Sequence, residues 1–300
     1  MTTRIAEEVA SALAAGRPVV ALESTLLAHG LPPDRNEKVA RRLEQTVRAA
    51  GAVPATIAVL DGEPVVGLSP AELARVCDPA AGLVKLSRRD LAPAIALRRS
   101  GATTVAGTAA LAASAGISVF ATGGLGGVHR GARDTWDVSA DLGVLATTPI
   151  LVVCSGVKSV LDIGATLELL ETSSVPVLGY RTDRFPAFYL RDSDHDVPWR
   201  IENAGEAAAV YATHRAAGGN GVVLANPIPA EHELDRELHD RLLVGGLALL
   251  AEQDIRGKDV TPALLAHFHT ASDGASLDAN EELVVANTEL AAEVAVALSR

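Results

Sequence analysis

The sequence predicts a layered α/β/α fold, with a central mixed, largely parallel sheet and a helical C-terminal part. Three observations carry that prediction. Short apolar runs alternate with amphipathic stretches through most of the chain. Most runs end at glycine, proline or a polar turn. After about residue 228 the pattern is almost wholly helical.

Taken in order, Ile5–Ala15 reads as a helix stopped by Gly16, and Pro18–Leu22 as a short buried strand. A second helix is expected from Asp34, with Glu37 three residues on as a capping box, to Gly51. Ala55–Leu60, the turn "DGEP" and Val65–Gly67 read as a hairpin. Ser69, Pro70 and Glu72 form a second capping box with proline at the first helical position. Further strands are expected at Leu83–Leu86, Thr103–Ala106, Ile117–Ala121, Ile150–Val153, Val175–Leu178 and Gly221–Leu224. The spacing of Val160, Leu161 and Ile163 reads as the start of a helix. Helices are expected again at Ala230–Gln253, Pro262–Ala271 and Asn280–Leu298. Arg181–Pro198 is the longest irregular piece, read as either a substrate-covering flap or an oligomer contact.

Composition bounds the function. Of 300 residues 48% are hydrophobic and only 3% aromatic, so a large core must be built from Val, Leu, Ile and Ala. A formal charge of −11 argues against nucleic-acid or anionic-membrane partners but leaves room for an anionic small ligand. No stretch approaches the roughly 20 apolar residues of a membrane span, and Thr3–Ala15 carries Arg4, Glu7 and Glu8, unlike a signal peptide. Cys77 and Cys154 make no disulfide framework or metal motif; Cys154 reads as a small buried residue closing its strand. The expected compartment is the cytoplasm.

The polar oddities cluster where strands end. Glu23-Ser24-Thr25 follows one strand, Lys85 ends another, Thr122-Gly123-Gly124 and Ser155-Gly156-Val157-Lys158 follow two more, and Asn226-Pro227 a fifth. Ligands of open α/β sheets bind at the carboxyl ends of the strands, so this concentration is the main case for a site. Each residue also has a plainer reading. Glu23 could simply precede a turn in which Ser24 or Thr25 bonds backbone, and Lys85 could join Arg88 and Arg89 in a solvated basic patch. "TGGLGGVHRGA", residues 122–132, lets backbone approach a phosphate, with His129 and Arg130 at its end to suit an anion. It matches neither P-loop nor dinucleotide spacing. Asp134, Asp137 and Asp141 follow; a hard divalent ion uses one or two carboxylates and keeps several waters. Alternatively, Ser139 or Asp137 caps a short helix at Ala140–Leu145.

These segments closely resemble the pseudouridine-5′-phosphate glycosidases, also called the indigoidine synthase A family. The resemblance rests on "VVALEST" (19–25), "AHGLP" (28–32), "GAVPATIAVLDG" (51–62), "VKLSRRDL" (84–91) and "GATTVAGT" (101–108). It continues through "VFATGGLGGVHRGA" (119–132), "DVSADL" (137–142), "VVCSGVKSVLD" (152–162), "VPVLGY" (175–180) and "ANPIP" (225–229). It covers essentially the whole chain and implies a single α/β domain over residues 1–300, assembled as a homotrimer.

The implied reaction is reversible cleavage of the C–C bond between ribose 5-phosphate and uracil. Lys158 falls on the family's nucleophile and Glu23 on its proton donor. Lys85, Val105, Ser139, Ala140 and Asp141 fall on substrate-binding positions, Asn280 on an active-site asparagine, and Asp137 on a divalent-metal position, usually manganese. Thr122, Gly123, Gly124, His129 and Arg130 remain the phosphate candidates. A C–C glycoside has no leaving oxygen to protonate, so the two-carboxylate scheme of ordinary glycosidases suits it poorly. A lysine imine supplies an electron sink instead. An ordinary lysine amine is only about 0.04% neutral at pH 7, and burial at an apolar strand end, near a second lysine, favours the neutral form. Ser155 and Val157, where relatives often have alanine, and Trp136, where phenylalanine is common, bear on the identity of the base. Two alternatives remain: a C-glycosynthase joining ribose 5-phosphate to an aromatic acceptor, and a non-catalytic sugar-phosphate binding protein.

Overall fold

The computed structural model describes residues 3–158, 160–255, 257 and 260–300. An eleven-stranded sheet is its frame. In chain order its strands are β1 (Arg4–Ile5), β2 (Val19–Leu22), β3 (Val53–Leu60), β4 (Glu63–Val66), β5 (Val84–Leu86), β6 (Gly101–Thr103) and β7 (Val119–Ala121). β8 (Val128–His129) lies outside it; β9 (Leu151–Cys154) rejoins it. β10 (Leu161–Asp162) pairs antiparallel with β8 as a separate ribbon. β11 (Val177–Tyr180), β12 (Trp199–Ile201) and β13 (Val222–Ala225) complete the sheet.

The main path runs β1-β4-β3-β2-β7-β9-β13-β11-β12, with β6 on β3 and β5 on β6. Only β3–β4 and β3–β6 are antiparallel, so the sheet is mixed and largely parallel, as the alternation implied.

The central strands are apolar throughout because both faces are covered. Val19 and Ala21 face one core while Val20 and Leu22 face the other; Val152 and Cys154 against Leu151 and Val153 repeat the alternation. On the first face pack helices Glu7–Ala14, Val105–Ser114 and Ala140–Leu145. On the second lie Asn36–Ala49, Ala204–Ala216 and the 24-residue helix Ala275–Leu298, which supplies Leu283, Val284, Leu290 and Ala291.

Several boundaries differ from the sequence reading. Arg4 and Ile5 are drawn into the sheet edge beside β4, Ala6 N–H bonding Val66 O at 2.9 Å, so the first helix begins at Glu7. The expected box at Asp34 does not form. Pro32 O accepts from both Arg35 and Asn36 N–H at 3.0 Å, winding the chain into the helix before a cap is needed. The box at Ser69 and Glu72 does form.

The strand expected at Thr103–Ala106 ends at Thr103. Thr104 is the N-cap, accepting from Gly107 N–H, and Val105 opens a helix. Val160 and Leu161 do not start a helix either: Asp162 caps one beginning at Ile163, its carboxylate accepting from Ala165 N–H at 2.9 Å. Asp235 caps Arg236–Glu252, with only a 3₁₀ turn at Ala230–His232. The last helix starts at Ala275, placing Asn280 inside it. No helix among the described residues is long and apolar enough to cross a membrane.

His239 is buried in Arg236–Glu252, edge-on to Phe268 at 5.8 Å. Burial holds its imidazole below the usual range, against the opposing pull of Asp240. A base with a depressed folded pKa is protonated first in the unfolded chain, so this stability is present at neutral pH and falls as pH drops through the unfolded value. Urea midpoints should therefore fall from about pH 7.5 to about pH 5.5, and fall less in His239→Leu.

Candidate active site

β2, β7, β9 and β13 are parallel neighbours, so Glu23, Thr122, Ser155 and Asn226 leave the sheet at one edge. A cavity of about 350 Å³ opens there. It is lined by Glu23, Lys85, Val105, Gly123, Gly124, His129, Asp137, Ser139, Ala140, Asp141, Lys158 and Asn280. Thr122 lies just beneath, its hydroxyl donating to Glu23 Oε1. Arg130 is not brought in: its side chain is exposed, and Nε donates to Val160 O at 3.1 Å.

The plainer readings sort themselves by residue. Ser24 is fully buried, donating to Ile57 O at 2.6 Å and accepting from Thr103 N–H at 2.8 Å. Thr25 Oγ1 donates to Ala102 O at 3.3 Å. The turn is thus held by the neighbours of Glu23, leaving its carboxyl on the cavity wall. Lys85 also faces the cavity, whereas Arg88 turns to Thr147. Ser139 caps Ala140–Leu145, accepting from Asp141 N–H at 3.2 Å.

Asp141 braces the wall it lines. Oδ1 accepts from Ala106 N–H at 2.9 Å, in the first turn of Val105–Ser114, and Oδ2 from Gly126 N–H at 2.8 Å. A Cβ at Gly126 would stand 2.3 Å from Ser139 Oγ, so only glycine lets the loop reach this carboxylate.

Beneath the floor, Asn287 in the last helix is wholly buried. Its amide nitrogen donates to Thr122 O at 2.9 Å and Ser155 Oγ at 3.0 Å, and its oxygen accepts from Asn226 Nδ2 at 3.0 Å. One side chain therefore ties the ends of β7, β9 and β13.

Burial raises the Glu23 carboxyl above the ordinary carboxylate range and nearby Asp141 adds to the shift; positive charge on Lys158 and Lys85 and the Thr122 hydrogen bond oppose it. Burial lowers His129, with Lys158 and Lys85 adding and Asp137 opposing; burial and Lys85 also lower His29. The Cys154 thiol, enclosed under the site, is pushed up to about 12 by burial and is no nucleophile at neutral pH.

His129 Nδ1 stands 3.7 Å from Asp137 Oδ2, and no group of three or more His, Cys, Asp or Glu among the described residues is placed to hold a metal ion. Asn280 is 1% exposed, and neither atom of its carboxamide has a partner. The sequence reading missed His29, Ser87 and Thr104 on the same wall, although "AHGLP" and "SRRD" contain the first two. It also missed Phe188, which enters from the tip of the irregular segment.

An α/β protein with a small-molecule site at the carboxyl edge of a largely parallel sheet, joining a lysine to a buried carboxyl, is the class these features define. The chain belongs to the family described as indigoidine synthase A like protein, which it matches over residues 8–297. It is 57% identical to the pseudouridine-5′-phosphate glycosidase of Salinispora tropica over 292 residues, 97% of this chain and 90% of the relative. Among solved structures, the prealnumycin C-glycosynthase AlnA in complex with ribulose 5-phosphate superimposes with a TM-score of 0.91 at 40% identity, covering 100% of this chain and 97% of that one. An indigoidine synthase A-like protein from Thermotoga maritima gives 0.89 at 36%, with the same coverage.

Replacing Asn287 by alanine strands Thr122 O and the Asn226 amide without partners. Asn287→Ala should lower the free energy of unfolding by about 3 kcal/mol, read by urea denaturation.

Proposed function

We propose that this chain cleaves the C–C glycosidic bond of pseudouridine 5′-phosphate reversibly, giving uracil and ribose 5-phosphate through an imine on Lys158. The carrying observation is that Lys158 and a Glu23 carboxyl raised by burial line one cavity. The 57% identical relative supports the choice of substrate.

The chemistry follows from those two groups. The Lys158 amine attacks the anomeric carbon, and the ring C–O bond breaks as Glu23 gives its proton to the departing ring oxygen. Glu23 then takes a proton from the new ammonium. The nitrogen lone pair forms the C=N bond as the C–C bond breaks; that electron pair stays on the base carbon, which takes the proton from Glu23. Water returns the sugar as its aldehyde and frees Lys158.

Asn280, with donor and acceptor both unspent and buried, is suited to an imide edge of the base. Lys85, His129 and the helix start at Val105 suit the sugar phosphate. Asp137, half-buried with its carboxylate 3.7 Å from His129 Nδ1, would hold a hydrated divalent cation, manganese in this proposal. Such an ion supplies charge stabilisation to substrate oxygens. Homotrimeric assembly, which rests on the resemblance, and a cytoplasmic location, which rests on the sequence pattern and on two free, buried cysteines consistent with a reducing compartment, belong to the same proposal.

A second reading is favoured by AlnA: the same residues run toward synthesis with a larger aromatic acceptor. Refusal of uracil with uptake of a polyphenolic acceptor would select it.

Borohydride added with ribose 5-phosphate should fix the sugar onto the peptide carrying Lys158, seen by mass spectrometry. Lys158→Ala should abolish this, and Glu23→Gln should slow turnover roughly 10²–10⁴-fold. An unmodified lysine during active turnover refutes the imine. Chelation should suppress turnover and manganese restore it, with Asp137→Ala needing more manganese for the same rate; unchanged activity after exhaustive chelation counts against the ion.

A further inference from the structure

Phe188 sits where an aromatic side chain should not. Ala187 and Leu190 exchange backbone hydrogen bonds, Ala187 N–H to Leu190 O at 3.0 Å and Leu190 N–H to Ala187 O at 3.4 Å. Phe188 and Tyr189 are thus the two central residues of a tight turn. Phe188 has φ of 63°, while Tyr189 has no positive φ. That is the pattern of a type II′ turn, whose first central position favours glycine. For a bulky residue a positive φ is a genuine outlier, and such strain persists only where the surroundings impose it.

What the strain achieves is placement. Phe188 N–H donates to Ser155 O at 2.9 Å, fastening the turn to the loop that carries Lys158. The ring lies over the glycine-rich loop, where a Cβ on Gly124 would come within 2.6 Å of it. A Cβ on Gly123 would lie 3.5 Å from the ring edge and 3.6 Å from Asn280 Oδ1. The ring and the unpartnered carboxamide therefore converge on one end of the cavity. Tyr189 packs edge-on behind Phe188 at 4.6 Å and stacks in turn on Phe268 at 5.5 Å, so the ring is backed by core.

We infer that Phe188 is a specificity-determining residue: its ring is the wall against which the carbon-linked base lies, while Asn280 reads the base edge. The ring is 2% exposed, so it offers the cavity an edge, and an aromatic edge beside an unspent carboxamide suits a planar heterocyclic imide. The irregular stretch 181–198 then has a definite task, delivering this ring from the far side of the sheet edge. The inference rests on the proposed lysine-imine reaction, and its test separates the two.

The test uses Phe188→Gly and Phe188→Tyr in the full chain. Glycine relieves the turn strain, which offsets part of the cost of emptying the ring's buried site, and sugar trapping on Lys158 reports whether the site of that variant has stayed folded. Two readouts are compared: borohydride trapping of ribose 5-phosphate on Lys158, which needs no base, and the KM for uracil in the synthetic direction. Phe188→Gly should trap the sugar as wild type does and raise the uracil KM roughly tenfold, the scale of an edge-on aromatic contact. It should also accept a bicyclic aromatic acceptor better than wild type, and Phe188→Tyr should stay near wild type for uracil. A uracil KM within about twofold of wild type in Phe188→Gly, or trapping that falls in step with uracil use, overturns the inference: the ring would then be packing alone. Wild-type protein that turns over without trapping overturns the underlying lysine reading, and does so before any Phe188 variant is made.

Discussion

One buried carboxamide holds the working edge of the sheet together. Parallel strands deliver four loops to the same side, but nothing in strand pairing fixes the loops relative to one another once the ladder ends. Asn287 does so from below, through Thr122 O, Ser155 Oγ and Asn226 Nδ2. Each bond is buried, where a lost partner costs far more than an exposed one. The geometry between Glu23 and the Lys158 loop is therefore inherited from a helix that begins at Ala275 and touches the cavity only through Asn280. The two asparagines are seven residues apart, two turns on one helix face, so one helix both fastens the floor and presents a polar group to the cavity.

Charge on the wall is balanced so that one carboxyl stands apart. Asp137 stands near an imidazole, and Asp141 spends both oxygens on backbone N–H groups. Among the described residues Glu23 accepts a hydrogen bond from the Thr122 hydroxyl alone, and burial outweighs both that bond and two lysines. The three carboxyl groups of one cavity thus sit in three different bonding environments, and burial raises the Glu23 carboxyl above the ordinary carboxylate range. Asp141 contributes twice: its backbone bonds fix the glycine loop against the helix at Val105, and its charge raises Glu23.

The frame was legible in the sequence because strands covered on both faces read as unbroken apolar runs, and Val19–Leu22 and Leu151–Cys154 fall almost where those runs lie. Boundaries failed where a local signal met a tertiary one. "TTVAGT" looks like one strand because Val105 is apolar, yet Thr104 is a cap; Asp34 and Glu37 have box spacing, yet the Pro32 turn starts the helix without them. At the site, strand-end position was enough to find Glu23, Lys85 and Lys158. Arg130 misled because charge says nothing about which way a side chain turns. Phe188 was illegible for a different reason: its place depends on a turn some thirty residues from Lys158 and on a backbone conformation that its residue type disfavours.

The glycine-rich loop shows how the same composition can answer to two pressures. Read as sequence, "TGGLGG" offers close backbone approach to a phosphate. In the structure the close approaches are to protein groups: Gly124 gives clearance to the Phe188 ring, and Gly126 to Ser139 and Asp141. A side chain at either position would displace the aromatic wall or the brace that holds the helix start at Ala106. Small residues here are what allow a large ring and a buried carboxylate to press on the same short loop from opposite sides. The loop is thin because its neighbours are not, and the cavity takes its shape from those neighbours.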